Sequence, residues 1–476
     1  MKVNYADYVK KSDVSVLVAE AIFSELFKSS PIKKIGDIAG TSSGGTPLRG
    51  NIEFYNGDIP WLKSGELNDG YIECAEEFIS EKGLSNSSAR LHPEGTLLLA
   101  MYGATAGKTG ITKIKAATNQ AVCALFPKEE ISRDYLYWFL RQHRYKFIEI
   151  SKGGAQPNIS QTVIKDTKLP VPAKLVQEDI VSVLTAIQEK GALDLNIIPI
   201  EYRDIIIKVF YSKQSVTSIE TENTQQLDHL KKLRQQILQD AVQGKLVLQD
   251  PNDETASELL ERIKSEKEQL ISEKKIRKEK PLPEIKPDEI PFEIPKNWVW
   301  CRLGDMSINR DEERNPISQI ERERREKIYD YYGASGIIDK IDGFTHNGVY
   351  LLIGEDGANL KMKSTPIAFI AKGKFWVNNH AHVLDFIDSI TMIYMENCLN
   401  GIDINGFITG GFQPKLSQGN LNIIPIPLPP LSEQHRIVDK IQQLMKLCDE
   451  LEQSIKQNQK YTKELLQVAL KEALEN

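Results

Sequence analysis

The sequence predicts an α+β protein: two mixed domains separated by two long helices that form an antiparallel coiled coil, the whole arranged as a pseudo-twofold internal repeat. Three observations predict it. The nonapeptide Gly153-Gly154-Ala155-Gln156-Pro157-Asn158-Ile159-Ser160-Gln161 returns as Gly410-Gly411-Phe412-Gln413-Pro414-Lys415-Leu416-Ser417-Gln418. The same offset of 257, from Gly153 to Gly410, carries Pro170 onto Pro427, Pro172 onto Pro429 and Gln177 onto Gln434. Each copy then runs into a stretch with helical apolar periodicity. Self-similarity kept at one offset marks a duplicated frame.

Taken in order, residues 1–30 form an N-terminal helical segment, since Val14 to Phe27 is apolar-periodic. Residues 31–172 form the first mixed domain. Its short β-prone runs, Thr96 to Tyr102 and Ala121 to Phe126, are punctuated by Gly, Pro and Asn, and Asp134 to Ile148 reads as helix. Residues 173–250 form a central helical region. Ile180, Leu184 and Ile187 begin it, Pro199 interrupts it, Leu227, Leu230, Leu233, Ile237 and Val242 resume it, and Gly244 is placed to stop it. Residues 251–294 hold a charged helix and a Pro-rich linker. Residues 295–430 form the second domain, with runs at Val349 to Ile353 and Ile367 to Ile370. Its start, Leu303-Gly304-Asp305, echoes Ile35-Gly36-Asp37, and Asn379-His380-Ala381 faintly echoes Asn119-Gln120-Ala121. The middles otherwise diverge.

Residues 431–476 carry the clearest period. Ile437, Ile441, Leu444, Cys448, Leu451, Ile455, Asn458, Thr462 and Leu465 alternate in steps of four and three, a coiled-coil seam about 60 Å long with its helix. Ile180, Leu184, Leu230 and Ile237 are the candidate partner positions on the central region. Mutual pairing of the two stripes is favoured over each stripe packing on its own domain.

Composition bounds the function. The chain has 476 residues, 41% hydrophobic and 26% charged, so it is expected to be globular. No run of about 18 apolar residues occurs, and no charged-then-apolar leader opens the sequence, so neither a membrane span nor a signal segment is expected. Five cysteines lack C-x-x-C spacing, which argues against zinc or a disulfide framework and suits the cytoplasm. The net charge of −6 requires any DNA-binding surface to be local.

Catalytic constellations are not recognised. Gly103-Ala104-Thr105-Ala106-Gly107-Lys108-Thr109 has three residues between its glycines where a P-loop needs four. There is no Asn-Pro-Pro-aromatic methyltransferase motif and no helicase motif pair. His380-Ala381-His382 has no further ligand at metal spacing and is read as structural. Gly333-Ala334-Ser335-Gly336 is one residue short of a nucleophile elbow. No catalytic residue and no metal ligand is assigned.

Polar and basic loop residues supply candidate DNA contacts. In the first domain these are Ser43, Thr46, Lys63, Ser64, Tyr102, Lys108, Asn119, Gln120, Lys152, Gln156, Asn158 and Ser160. In the second they are Ser335, Lys361, Lys363, Asn378, Asn379, Gln413, Lys415 and Ser417. Asn and Gln pair with adenine, Arg and Lys with guanine, and Gly-rich turns suit phosphates. Ordinary turn chemistry is the alternative for these loops, and a structural hinge is the alternative for the repeated nonapeptide.

The residues Gly44-Gly45-Thr46-Pro47, Gly57-Asp58-Ile59-Pro60-Trp61, the nonapeptide, Leu428-Pro429-Pro430-Leu431-Ser432-Glu433-Gln434 and Gln235 to Val247 together resemble the specificity subunit of type I restriction-modification enzymes. The second domain departs from the first in lacking Gly-Gly-Thr-Pro and Ile-Pro-Trp. The resemblance implies two target recognition domains reading the halves of a bipartite, asymmetric DNA site, with the helices fixing the spacer. It implies double-stranded DNA and two methyltransferase subunits as partners, with restriction subunits as further ones. It places cofactors in those partners: S-adenosylmethionine for methylation, ATP and magnesium for the motor-nuclease. The alternatives are a coiled-coil adaptor, or a methyltransferase or nuclease with an unrecognised site.

Overall fold

A computed structural model describes Tyr8 and residues 11–150 and 158–475. The chain divides into two compact units, Met1–Asn223 with Lys456–Asn476, and Thr224–Ile455. The division falls inside both long helices, Arg203–Val242 and Leu431–Glu475.

In the first unit the helix Val14–Ser29 starts where Asp13 accepts from the Ser15 amide at 2.8 Å. It buries Leu17, Val18, Ile22, Phe23 and Leu26, and Phe23 packs on Tyr135 and Phe139 with ring centroids 5.1 and 5.2 Å apart. Burial of each such side chain stabilises by about 2 kcal/mol. The helix Lys174–Lys190 adds Ile180, Leu184 and Ile187 to this same core. Ile180 and Leu184 are therefore not seam positions. Gly191 ends that helix in the left-handed region, at φ 62°, and the chain becomes regularly helical again only after Pro199, at Arg203.

The strands of this unit are β1 (Ile32–Lys34), β2 (Ala39–Ser43), β3 (Tyr55–Leu62), β4 (Gly70–Ile72), β5 (Glu77–Ile79), β6 (Leu91–His92), β7 (Leu97–Ala100), β8 (Thr109–Thr112), β9 (Ala116–Thr118), β10 (Val122–Pro127) and β11 (Lys168–Pro170). The main sheet has the order β2-β10-β7-β8-β4; a second sheet runs β5-β3-β9-β6, and β1 pairs β11. The second unit holds β12 (Val299–Arg302), β13 (Ile308–Asn309), β14 (Tyr329–Gly333), β15 (Gly336–Ile341), β16 (His346–Gly354), β17 (Ala368–Val377), β18 (Ala381–Asp385) and β19 (Pro425–Leu428). Its sheet runs β13-β18-β16-β17-β14-β15, and β12 pairs β19.

These two orders are the same frame. β2, β10, β7 and β8 pair antiparallel in turn, as do β13, β18, β16 and β17, and each series ends on a parallel partner, β4 or β14. So the middles that diverge in sequence share a topology. A strand tolerates any alternating apolar set that fills the core, which is why the identity vanished while the pairing stayed.

The Pro-x-Pro segments act as straps in both units. Tyr135 donates its hydroxyl to the Pro170 carbonyl at 3.0 Å, and Tyr394 does so to Pro427 at 2.7 Å. Gln177 donates to Pro172 at 2.9 Å, and Gln434 to Pro429 at 3.0 Å. Proline fits here because β11 and β19 each lie in a two-stranded pair.

The linker is docked on the second unit. Buried Arg302 donates to the Pro283 and Glu284 carbonyls and clasps Glu289 with both terminal nitrogens, at 3.0 and 2.8 Å. That pairing, with the Lys286 amide bond, pulls the Glu289 carboxyl down to about 2. The charged helix, Ala256–Ser272, buries Leu259, Leu260 and Ile263 in the second core.

Within the second unit Leu230, Ile237 and Ala241 share that core with Ile437, Ile441 and Cys448. Arg234 meets Asp449 at 2.6 Å and Glu452 at 3.0 Å, while Gln249, beyond the helix end, meets Glu433 at 3.1 Å, so the segments run antiparallel. Both packings foreseen for the stripes thus occur together: helix on helix, and helix on its own domain. The seam is less continuous than its spacing suggests, and Asn458 is exposed. Ile455 and Thr462 are buried and Leu444 is half-buried, but Leu451 is 52% and Leu465 60% exposed. Among the side chains that are described, the covered stripe is narrower than the periodic one.

Candidate nucleic-acid interface

In the first unit one end of the main sheet gathers most of the candidate residues. β2 and β7 finish there and β10 begins there, with Ser43 opposite Cys123 and Ala100 opposite Val122. Beyond those positions the Met101 amide donates to the Ala121 carbonyl at 2.7 Å, and the Ile159 amide to Met101 at 2.8 Å. Tyr102 bridges to Asn158. The Asn119 amide reaches the Leu62 carbonyl at 2.9 Å, which brings the end of β3, with Lys63 and Ser64, to the same rim. Thr46 bonds Gln120 through their side chains. Ser43, Tyr102, Gln120 and Asn158 are exposed on this rim, and Lys108 is half-buried at its edge.

Gly44 and Gly45 hold the rim together by close approach. A Cβ on Gly44 would sit 2.0 Å from the Thr118 carbonyl oxygen, and one on Gly45 would sit 2.3 Å from the Ser88 hydroxyl. The turn Gly103–Lys108 spends its amides internally: Ala106 donates to Gly103, Gly107 to Ala100 and Lys108 to Thr105. It leads into strand β8 rather than a helix, so it lacks the N-terminal amides of a phosphate cradle.

The second unit repeats this ladder with different side chains. The Glu355 amide donates to the His380 carbonyl and the Leu416 amide to Glu355, both at 2.8 Å; Asp356 bridges to Lys415. Asn378 Oδ1 accepts from the His380 amide at 2.8 Å, as Asn119 Oδ1 accepts from Ala121 at 3.1 Å. The counterpart of Asn119 is therefore Asn378, one residue before the sequence match to Asn379.

Below the second rim lies a charge network that no sequence motif announces. His382, buried, bonds Asp311 at 2.6 Å and the Leu416 carbonyl at 2.8 Å. Glu355 pairs with Arg314 at 2.6 Å and Lys415 at 3.2 Å. Burial opposes ionisation of Asp311 and Glu355. Burial is the largest single influence on each, but His382, the Val383 amide and Arg314 together outweigh it at Asp311, as Arg314, His382 and Lys415 do at Glu355, so both stay below their ordinary values. His380 Nδ1 lies 2.7 Å from Asp356, which fixes the imidazole while leaving it exposed. The alternation His380-x-His382 was the one visible signal. Arg314 and Asp311, themselves an ion pair three positions apart, carried none, because the partners that tie them into the network, Glu355 and His382, lie 41 and 71 positions away.

Several candidate contacts have other duties. Ser160 accepts from the Val163 amide at 3.2 Å, and Ser417 from Asn420 at 3.3 Å, so each caps the short helix that follows, Gln161–Asp166 or Gln418–Asn422. Asn378 is 4% exposed and spent on its turn. Lys63 is held by Glu77 at 2.9 Å and Glu76 at 3.4 Å, and the Glu77 bond raises its pKa. Lys363 turns inward to the Ile402 carbonyl, and burial lowers its pKa. Each of these five thus already has a partner within the chain. Ser335, Lys361, Asn379 and Gln413 are exposed. Lys152 and Gln156 lie outside the described residues.

Comparisons with known proteins agree with this duplication. The family model described as "Type I restriction modification DNA specificity domain" matches residues 28–202 and 295–459. The chain is 32% identical over 251 residues to the type I restriction enzyme EcoEI specificity subunit of Escherichia coli, covering 48% of this chain and 42% of that protein. It is 37% identical over 242 residues to the EcoAI specificity subunit of Escherichia coli, covering 47% and 41%. The chain thus spans less than half the length of these relatives. A solved HsdS subunit from Thermoanaerobacter tengcongensis is 15% identical, with a TM-score of 0.42, covering 93% of this chain and 96% of that one. With both halves matched by one family model, the chain belongs to the type I restriction modification DNA specificity domain family.

Proposed function

We propose that this chain is the DNA sequence-specificity subunit of a type I restriction-modification complex, non-catalytic in itself, whose two units each read one half of a bipartite, asymmetric target. The observation that carries the reading is the shared rim. Two sheets of one topology end in the same backbone ladder, yet present exposed Tyr102 and Asn158 in one unit and Asp356 and exposed Lys415 in the other. A constant frame with unlike side chains is what reading two unlike half-sites requires. The negative net charge fits an interface confined to these rims rather than spread over the surface.

On this reading the long helices set the spacing between half-sites and dock two methyltransferase subunits, with restriction subunits as further partners. The methyltransferases supply the chemistry, transfer of a methyl group from S-adenosylmethionine to adenine; ATP and magnesium belong to the motor-nuclease. The five cysteines are all free thiols, which supports a cytoplasmic setting. The test exchanges residues 31–172 for the matching domain of another family member and reads the methylation motif by sequencing. One half of the motif is expected to change and the other to persist. An unchanged motif overturns the assignment.

A further inference from the structure

We propose that Phe412 is a stacking residue that packs its ring on a nucleobase in the half-site read by the second unit. The inference rests on the reading above and adds a contact that the motif comparison does not assign. Phe412 is 109% exposed, the most exposed of the large apolar side chains described. It stands at the tip of a closed turn. Thr409 and Lys415 exchange both backbone bonds at 2.8 and 2.7 Å, and the Gly357 amide holds the Pro414 carbonyl at 3.0 Å. Gly410 takes φ 84°, and a Cβ there would lie 2.4 Å from the Gln413 carbonyl. The backbone on both sides of Phe412 is therefore bonded, and among the described residues nothing covers the ring.

Turn tips of this kind are ordinarily filled by Gly, Asn, Asp or Ser, which cost nothing when exposed. An aromatic ring there contributes nothing to the core. The occupant is argued from position. The turn is bonded directly to the rim segments 355–357 and, through them, 378–380, which carry the exposed imidazole of His380. Lys415 at the base of the turn and exposed Lys361 are the nearby cations in sequence and backbone pairing. In a duplex a ring reaches a base face by entering between base pairs as a wedge, which costs energy because it unstacks and kinks the step; a ring held at the tip of a closed turn is placed to do so. The first unit carries Ala155 at the matching sequence position, so stacking is confined to one half-site.

The test uses the full chain assembled with its methyltransferase subunits, and duplexes carrying 2-aminopurine at successive positions of the second half-site. Phe412→Ala is expected to weaken binding on the order of tenfold and to abolish the fluorescence change at one position. Phe412→Trp should restore both. The dependence of affinity on salt should stay the same, because a ring releases no counterions. Wild-type affinity in F412A overturns the inference. So does a loss confined to assembly with the methyltransferase, which would make the ring a protein contact. Failure of the wild-type complex to select any sequence overturns the underlying reading, and this inference with it.

Discussion

At the scale of single residues, burial decides roles that residue type leaves open. His143 stacks on Phe139 with centroids 5.0 Å apart, and His346 stacks on Phe375 at 5.5 Å. Burial pushes both imidazoles down to about 4. An unfolded histidine titrates near 6.5, so between these values the unfolded chain takes up protons that the folded chain refuses. Stability therefore falls as pH drops from about 6.5 toward 4, and this contribution is fully present above that window. Urea midpoints are expected to be lower at pH 5 than at pH 7, and His346→Gln should narrow the gap. An unchanged gap in that variant would assign the loss to other groups. The sequence shows seven histidines but not which are stacked and dry, since those stacking partners lie up to 29 positions away.

At the scale of elements, the nonapeptide illustrates two functions in one motif. Its second half is structural: Ile159 and Leu416 are buried, and Ser160 and Ser417 cap helices. Ser417→Ala should cost about 1 kcal/mol in a urea titration. Ser417→Asp should retain stability, because a carboxylate caps equally well, and should leave DNA affinity unchanged. A sharp loss of affinity in the aspartate variant would show instead that Ser417 meets the DNA backbone, where added negative charge is repelled. The first half, in the second unit, closes the turn that carries the exposed ring of Phe412. Identity runs through both halves of the motif: Gly-Gly and Gln-Pro are kept in the first and Ser-Gln in the second. The copies differ at Ala155 against Phe412, Asn158 against Lys415 and Ile159 against Leu416.

At the scale of the molecule, both long helices pass through the boundary between the units, at Asn223 and Thr224 in one and Ile455 and Lys456 in the other. If these helices set the spacing of half-sites, inserting seven residues at both points adds about 10 Å. The unspecific spacer in the methylation motif should then lengthen by about three base pairs while both half-sites persist. A change in the half-sites themselves would refute the spacing role.

The duplication, the repeated Pro-x-Pro, the break at Pro199 and the helical character of the long segments were legible in the sequence alone, because each depends on local spacing or on residues without substitutes. Pro-x-Pro supplies acceptors without donors, and a three- and four-residue period can only be satisfied by a helix. The shared topology of the diverged middles was not legible, because strand pairing is set by packing between distant segments. The true partner of Asn119, the network joining Asp311, Arg314, Glu355 and His382, and the exposure of Leu451, Leu465 and Phe412 were decided only by the tertiary structure. Each depends on what lies opposite a side chain, and the order of residues along a chain does not contain that.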